Sequence, residues 1–350
     1  MWVVDNETPF AAERGWVRDR TGAEIWLVAV KCTFDIKPDG STEPAADQAP
    51  VLRIPEYHGD PGLSSVKYDA DLVLTKTTTD VLVIGHAWAP GGRPVTELEV
   101  GFRVGPVQKV LRVTGDRTWT ASGVSSAAPF VRMPLVYERA FGGVDRESKN
   151  SDRDWDWRNP VGTGYAVARD HLAGVALPNV EYPSEIMNSW KDRPRPAGFG
   201  AIGGHWQPRV GLAGTYGDAW LKERQPLLPD DFDDRFFQCA PNDQQTPHFL
   251  RGGEPVVLHR LTPSGDLRFA LPKVFLGFET HFYDGSREIH ADRRLHTVIL
   301  EPDYPRVSLV WHTALPCHFR VHKLQRTIVT LKTDVGGTSA TAEIDELEPA

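Results

Sequence analysis

Three groups of side chains in this 350-residue sequence have types and spacings that invite chemistry. Asp152, Asp154 and Asp156 share the Asp-x-Asp-x-Asp start of a calcium loop. Such a loop needs glycine at its sixth position and glutamate at its twelfth. Trp157 and Thr163 stand there instead, so the stretch reads as a solvated or arginine-paired turn. His312, Cys317, His318 and His322 gather metal-ligand types near the end of the chain. Zinc ligands usually come as two pairs at recognised spacings. On a strand, His318 and His322 would share one face and Cys317 would take the other. They read as ordinary strand residues, no metal is expected, and these four are the first ligands to test if one is found. Asp230, Asp231, Asp233, Asp234 and Asp243 offer carboxylates for glycoside hydrolysis, with eleven Trp to stack sugars. That chemistry needs two carboxyl groups roughly 5–10 Å apart, which a sequence does not show. The competing reading is a solvated acidic turn with aromatics packing the core.

Other catalytic patterns fail on required positions. No Gly-Lys dipeptide is present, so there is no P-loop, and Gly162-Thr163-Gly164 lacks the third glycine of a dinucleotide fingerprint. Neither Gly-x-Ser-x-Gly nor His-Glu-x-x-His occurs. The expectation is no catalytic residues, no cofactor and no enzymatic activity.

The elements that position these residues are strand-like at both ends. Ile25–Val30 and Asp80–Ile84 are β-prone apolar runs, and Leu98, Val100, Phe102 and Val104 alternate with polar neighbours. Asp39-Gly40, Pro90-Gly91-Gly92 and Gly105-Pro106 mark turns. Strand patterns return at Val256–Leu258, Leu267–Leu271, Val274–Phe282, Val298–Leu300, Val307–Trp311 and Phe319–Leu331. Residues between about 138 and 250 are rich in Pro, Gly, Asp and aromatics, and read as long ordered loops. One short helix is expected over 217–225 with Asp218 as its N-cap. The fold class is therefore mainly β: an antiparallel sandwich-like framework with long ordered loops and a few short helices. Its parts are an N-terminal β region (1–136), a loop-rich central region (137–254), a C-terminal β region (255–332) and a disordered acidic tail (333–350).

Composition sets the partner class. With 31 Gly and 28 Pro, about one residue in six, turns are abundant and the composition argues against long helical bundles and coiled coils. The net charge of −8 argues against non-specific nucleic-acid binding. From 304 to 333 the charges are Arg306, Arg320, Lys323, Arg326 and Lys332, without an acid. From 334 to 350 they are Asp334, Glu343, Asp345, Glu346 and Glu348, without a base. No apolar run approaches the ~18 residues of a membrane span. The start lacks a signal peptide's basic and apolar regions. Cys32, Cys239 and Cys317 are far apart, without a Cys-x-x-Cys. The expectation is a cytoplasmic protein with no membrane or nucleic-acid partner.

Longer motifs carry a resemblance. They include Lys67–Lys76 (KYDADLVLTK), Thr79–Ala87 (TDVLVIGHA), Gly115–Trp119 (GDRTW) and Pro134–Asp145 (PLVYERAFGGVD). Asn159–Gly164 (NPVGTG), Leu177–Glu181 (LPNVE), Pro196–Gly200 (PAGFG), Pro226–Asp233 (PLLPDDFD) and Phe236–Gln244 (FFQCAPNDQ) follow. Together they resemble the bacterial family, first named only as a domain of unknown function, whose members sit beside type VI secretion genes. The resemblance spans about residues 1–330. It departs at Leu295-His296-Thr297, where Leu-Asp-Thr is expected, and at Trp311-His312, where Arg would follow Trp. It departs again at Tyr216-Gly217, which replaces Tyr-Asp. The resemblance implies a cytosolic adaptor or chaperone. Its partners would be a toxic effector, bound through a PAAR-containing or N-terminal region, and the VgrG spike on which the effector is loaded. Aromatics and Arg anchor interfaces, so Trp155, Trp157, Arg158, Tyr216, Trp220, Phe236 and Phe237 are the expected partner-binding residues. The alternative function is a β-rich carbohydrate-active hydrolase using paired carboxylates.

Overall fold

A computed structural model describes residues 2–332; the expected acidic tail lies outside the described residues. In chain order the main strands are β1 (Val3–Asn6), β2 (Ala11–Arg18), β3 (Glu24–Ile36), β4 (Asp80–Val83), β5 (Glu97–Val104), β6 (Val107–Thr114) and β7 (Val180–Glu181). They continue as β8 (Pro255–Thr262), β9 (Gly265–Ala270), β10 (Leu276–Phe282), β11 (Arg287–Ile289), β12 (Arg293–Glu301), β13 (Arg306–Pro316) and β14 (Leu324–Leu331). Three large sheets result. The first runs β2-β3-β13-β12-β4, with the short strand Thr42–Pro44 beside β3; the second runs β7-β6-β5-β8-β9; the third runs β1-β14-β10-β11. Most pairs are antiparallel, while β1–β14 and β4–β12 are parallel. The mainly β expectation is met.

Apolar side chains in the first sheet divide by strand periodicity. Val81, Val83, Val298, Leu300 and Leu309 enter a large core shared with Phe102, Val256 and Phe278 of the other two sheets. Leu82, Ile299 and Val310, one residue out of phase, enter a second core with Val66, Ala201 and Cys239. A sheet buried on both faces reads as continuous apolar sequence rather than alternation, which explains the unbroken run at 25–30. The second sheet keeps the alternation, with Leu98, Val100, Phe102 and Val104 all buried. The β5–β6 hairpin turns at Gly105, whose φ of 52° suits glycine.

Some local expectations change: Cys317, His318 and His322, read as strand residues, lie in turns beyond Pro316. The helix, α1, is Asp218–Glu223 with Gly217 at the N-cap, and Asp218 is its first helical residue. The last strand starts at Leu324 rather than Phe319. His318 and Phe319 have φ of 47° and 60°, a left-handed turn that breaks the ladder. Among the described residues no helix is long and apolar enough to cross a membrane. Residues 137–254 form short 3-10 turns, two-residue strands and α1. Backbone hydrogen bonds between neighbouring loops, together with buried side chains, fix this backbone.

Candidate functional site

The central loops place the expected aromatics in three ring contacts: Trp155 with Trp157, Tyr216 with Trp220, and Phe236 and Phe237 with Phe232. Trp155 and Trp157 stack with ring centroids 4.2 Å apart at 23°, and Trp157 is 58% exposed. Their loop is tied by its own polar groups. Ser148 Oγ donates to the Asp154 carboxylate at 2.5 Å. The Arg158 guanidinium forks onto Asp156, Nε to Oδ1 at 2.9 Å and a terminal nitrogen to Oδ2 at 2.5 Å. That fork raises the pKa of Arg158 and spends its bidentate edge inside the loop. The calcium-like spacing therefore resolves into hydrogen-bonded turns.

The other two contacts lie further along. Tyr216, 53% exposed, meets Trp220 edge-on at 4.8 Å. Trp220 sits on α1, half-buried, and its Nε1 donates to the Leu227 carbonyl at 2.8 Å. Asp231 accepts from Thr215 N–H and Oγ at 2.9 and 2.7 Å, fixing the residue before Tyr216. Phe236 and Phe237 are half-buried against Phe232, with centroids 5.5 and 5.4 Å from it. Arg209 holds Phe236 in place. It donates Nε to the Phe236 carbonyl at 3.0 Å, pairs with Asp69 at 2.7 Å, and lies 5.3 Å from the ring centroid. Two residues earlier, Gln207 N–H donates to the Trp157 carbonyl at 2.9 Å. The stretch 207–209 thus touches both Trp157 and Phe236. Tyr216 and Trp157 face solvent, whereas Trp155, Trp220, Phe236 and Phe237 are partly committed to packing.

Behind the aromatics, the Phe236–Gln244 motif straps its loop to β4. Gln238 Nε2 donates to Asp80 Oδ1 at 2.9 Å, and Cys239 N–H donates to Asp80 Oδ2 at 2.8 Å. Lys76 Nζ reaches Asp80 at 2.5 Å and Thr297 Oγ at 3.0 Å, with the pair fully buried. Burial opposes the Lys76 charge, but the Asp80 carboxylate outweighs it and raises the pKa. Gln244 Nε2 donates to the carbonyls of Val81 and Phe199 at 2.7 and 2.9 Å. Lys109 on β6 reaches Gly198 O, Asp243 and Gln244 at 2.8, 2.9 and 2.8 Å. Burial still pushes its ammonium down to about 8. The glycines of the Pro134–Asp145 motif serve close packing. Gly142 has φ of 145°, and a Cβ there would lie 2.2 Å from the Asn159 carbonyl oxygen. Asn159 Nδ2 in turn donates to Tyr137 O and Phe141 O at 2.7 and 3.0 Å.

A cleft of about 700 Å³ opens beside this motif, between Leu63, Gly142–Glu147, Pro160–Tyr165 and the 173–176 turn. His171 lines it, with Nδ1 2.8 Å from Asp145 Oδ2. Asp145 also accepts from the backbone of Val167 at 2.8 Å and Glu147 at 3.1 Å. Its hydrogen bond raises the pKa of His171 and leaves Nε2 as the ring's second polar atom. None of the residues expected from sequence lies in this cleft. Its sequence signals were two of the resembled motifs, GGVD at 142–145 and NPVGTG at 159–164, which both line it.

The remaining chemical candidates are dispersed. Asp230 pairs with Arg224 at 3.1 Å, Asp233 with Arg235 at 2.6 Å, and Asp234 with Arg20 at 3.6 Å. Asp243 bonds Lys109, and Tyr182 Oη donates to it at 2.9 Å. His312 is buried against His296, Cys317 is buried with its N–H on the Glu24 carbonyl, and His322 lies in a 3-10 turn at 321–323. Among the described residues no three His, Cys, Asp or Glu side chains are grouped to hold a metal ion.

Fold and site together define a multi-sheet β scaffold that displays aromatic side chains on pinned, irregular loops. The chain belongs to the family DUF2169, described as an uncharacterized protein conserved in bacteria, whose model matches residues 21–312. No curated protein matches the chain, and no solved structure does.

Proposed function

We propose that this chain is a binding module of type VI secretion. It grips a toxic effector in the cytosol, through the effector's PAAR-containing or N-terminal region, and helps load it onto the VgrG spike. The motif resemblance supplies the biological setting. The observation that carries the binding role is the pair of solvent-facing aromatic contacts, Trp157 on Trp155 and Tyr216 on Trp220, held on hydrogen-bonded loops. Aromatic anchors fixed before binding lose little conformational entropy, which favours affinity. The test is co-expression and pull-down with the products of neighbouring spike and toxin genes, using Trp157→Ala and Tyr216→Ala. An anchor should cost more than ~2 kcal/mol of binding, roughly thirtyfold in Kd, while the variants melt like wild type. Wild-type capture by both variants would move the binding surface elsewhere.

A further inference from the structure

The core holds one pair of titratable rings that the binding role does not use. His296 is the extra residue of a β-bulge in β12: Leu295 pairs with Trp311 and Thr297 with Val310, leaving His296 without a partner residue. A bulge re-aims a side chain, and here the ring stacks on His312 of β13, with centroids 4.4 Å apart at 13°. Phe249 stacks on His296 at 5.9 Å. His296 Nδ1 and His312 Nε2 are buried without a hydrogen-bond partner. A cavity of about 40 Å³ lined by Thr75, Asp292, Arg294 and Thr313 reaches both rings.

The charged groups around the rings are chiefly cations. Lys76 bears on both from the 74–80 segment, and Arg294 on His296 from β12 itself. The nearby carboxylates are committed elsewhere, Asp80 to Lys76 and Asp292 to Arg294 at 2.6 Å. A proton on either ring would therefore meet like charge and little water. The elements that would give way meet at the same bulge. Thr79 Oγ donates to the Leu295 carbonyl at 2.6 Å and accepts from Leu250 N–H at 2.9 Å, and Asp80 holds Gln238 and Cys239.

We infer that the His296–His312 stack is a proton-operated latch, whose protonation releases residues 74–80 and 238–250 from the β12 bulge. Burial pushes His312 down to about 3 and His296 well below the ordinary value. In the released state both rings would titrate near 6.5. That state then binds the extra protons, so the opening constant rises about tenfold per ring for each pH unit below 6.5. The latch stands whether or not the neighbouring aromatics bind a partner.

Hydrogen exchange of the full chain at pH 7.5 and pH 5.5, corrected for intrinsic exchange rates, tests it. Peptides covering 74–80 and 238–250 should open about a hundredfold more at pH 5.5, while β5 and β6 stay protected. The double variant His296→Phe/His312→Phe should lose that response. If the double variant does not fold, each single variant should keep about a tenfold response, and ring titration of the wild-type chain by NMR should show neither histidine titrating near 6.5. Equal protection at both pH values, an unchanged acid response in the variants, or an ordinary native titration of both rings would overturn the latch.

Discussion

Lys76 looks in the sequence like any lysine before a run of threonines, yet its ammonium is sealed against Asp80. Burial of this kind depends on the strap from Gln238 to Gln244, which is far away in the chain, so no local pattern reveals it. Removing one partner of a buried pair leaves an uncompensated charge and costs ~3–5 kcal/mol. Lys76→Met should therefore lower the urea midpoint sharply, and Lys76→Met/Asp80→Leu should recover part of the loss. A single variant as stable as wild type would mean that Asp80 is supported by Gln238 and the Cys239 amide alone. Residue type picked out Trp157 and Tyr216, and the structure exposes both. Their division from the half-buried Phe236 and Phe237 was not legible, because Arg209 reaches Phe236 from another loop while Phe232, four residues before Phe236, packs against both rings. In the sequence His296 stands out as a departure from the resembled pattern, and His312 as a departure and as one of four metal-ligand types. The structure puts those two departures ring to ring.

Strands were legible where burial is one-sided or continuous, as in β3, β4 and β5. The sequence could not show which strands pair, nor the left-handed turn at His318 and Phe319 that shortens β14. At the opposite edge of β14 lies β1, paired in parallel from Val3↔Arg326 to Asn6↔Val329. Trp2 extends that contact, its indole donating to the Val321 carbonyl at 3.0 Å and its ring 5.9 Å from that of Trp26. Deleting residues 2–7 would bare one edge of β14, and an uncovered strand edge invites pairing with another chain. The truncated protein should melt at a lower temperature and elute earlier on size exclusion as concentration rises. Unchanged melting and elution would show that β1 is dispensable to the sheet.

At the scale of the whole molecule, the N-terminal and C-terminal β regions are woven together. β3 pairs with β13, β4 with β12, β5 with β8 and β1 with β14. Each of the three large sheets therefore contains strands from both sides of the 137–254 region. Connecting them through a long intervening segment adds little cost, because loop-closure entropy grows only with the logarithm of length, about 0.6 kcal/mol per doubling. Covalent continuity through the central loops should accordingly matter less than the ladders. Trypsin offers the test at Lys149 and Arg153, which lie in an exposed turn, with the Arg153 side chain 85% exposed. A chain cut there should still elute at the size of the intact protein and unfold in one transition, its two pieces held by the shared sheets and the core between them. Residues 1–136 expressed alone should lack that support. Each sheet they contribute to would have open edges and half a core, so the fragment should show no cooperative unfolding. If it unfolds cooperatively, or if the nicked halves separate without denaturant, the first region is an independent domain and the cross-region ladders are secondary to its stability.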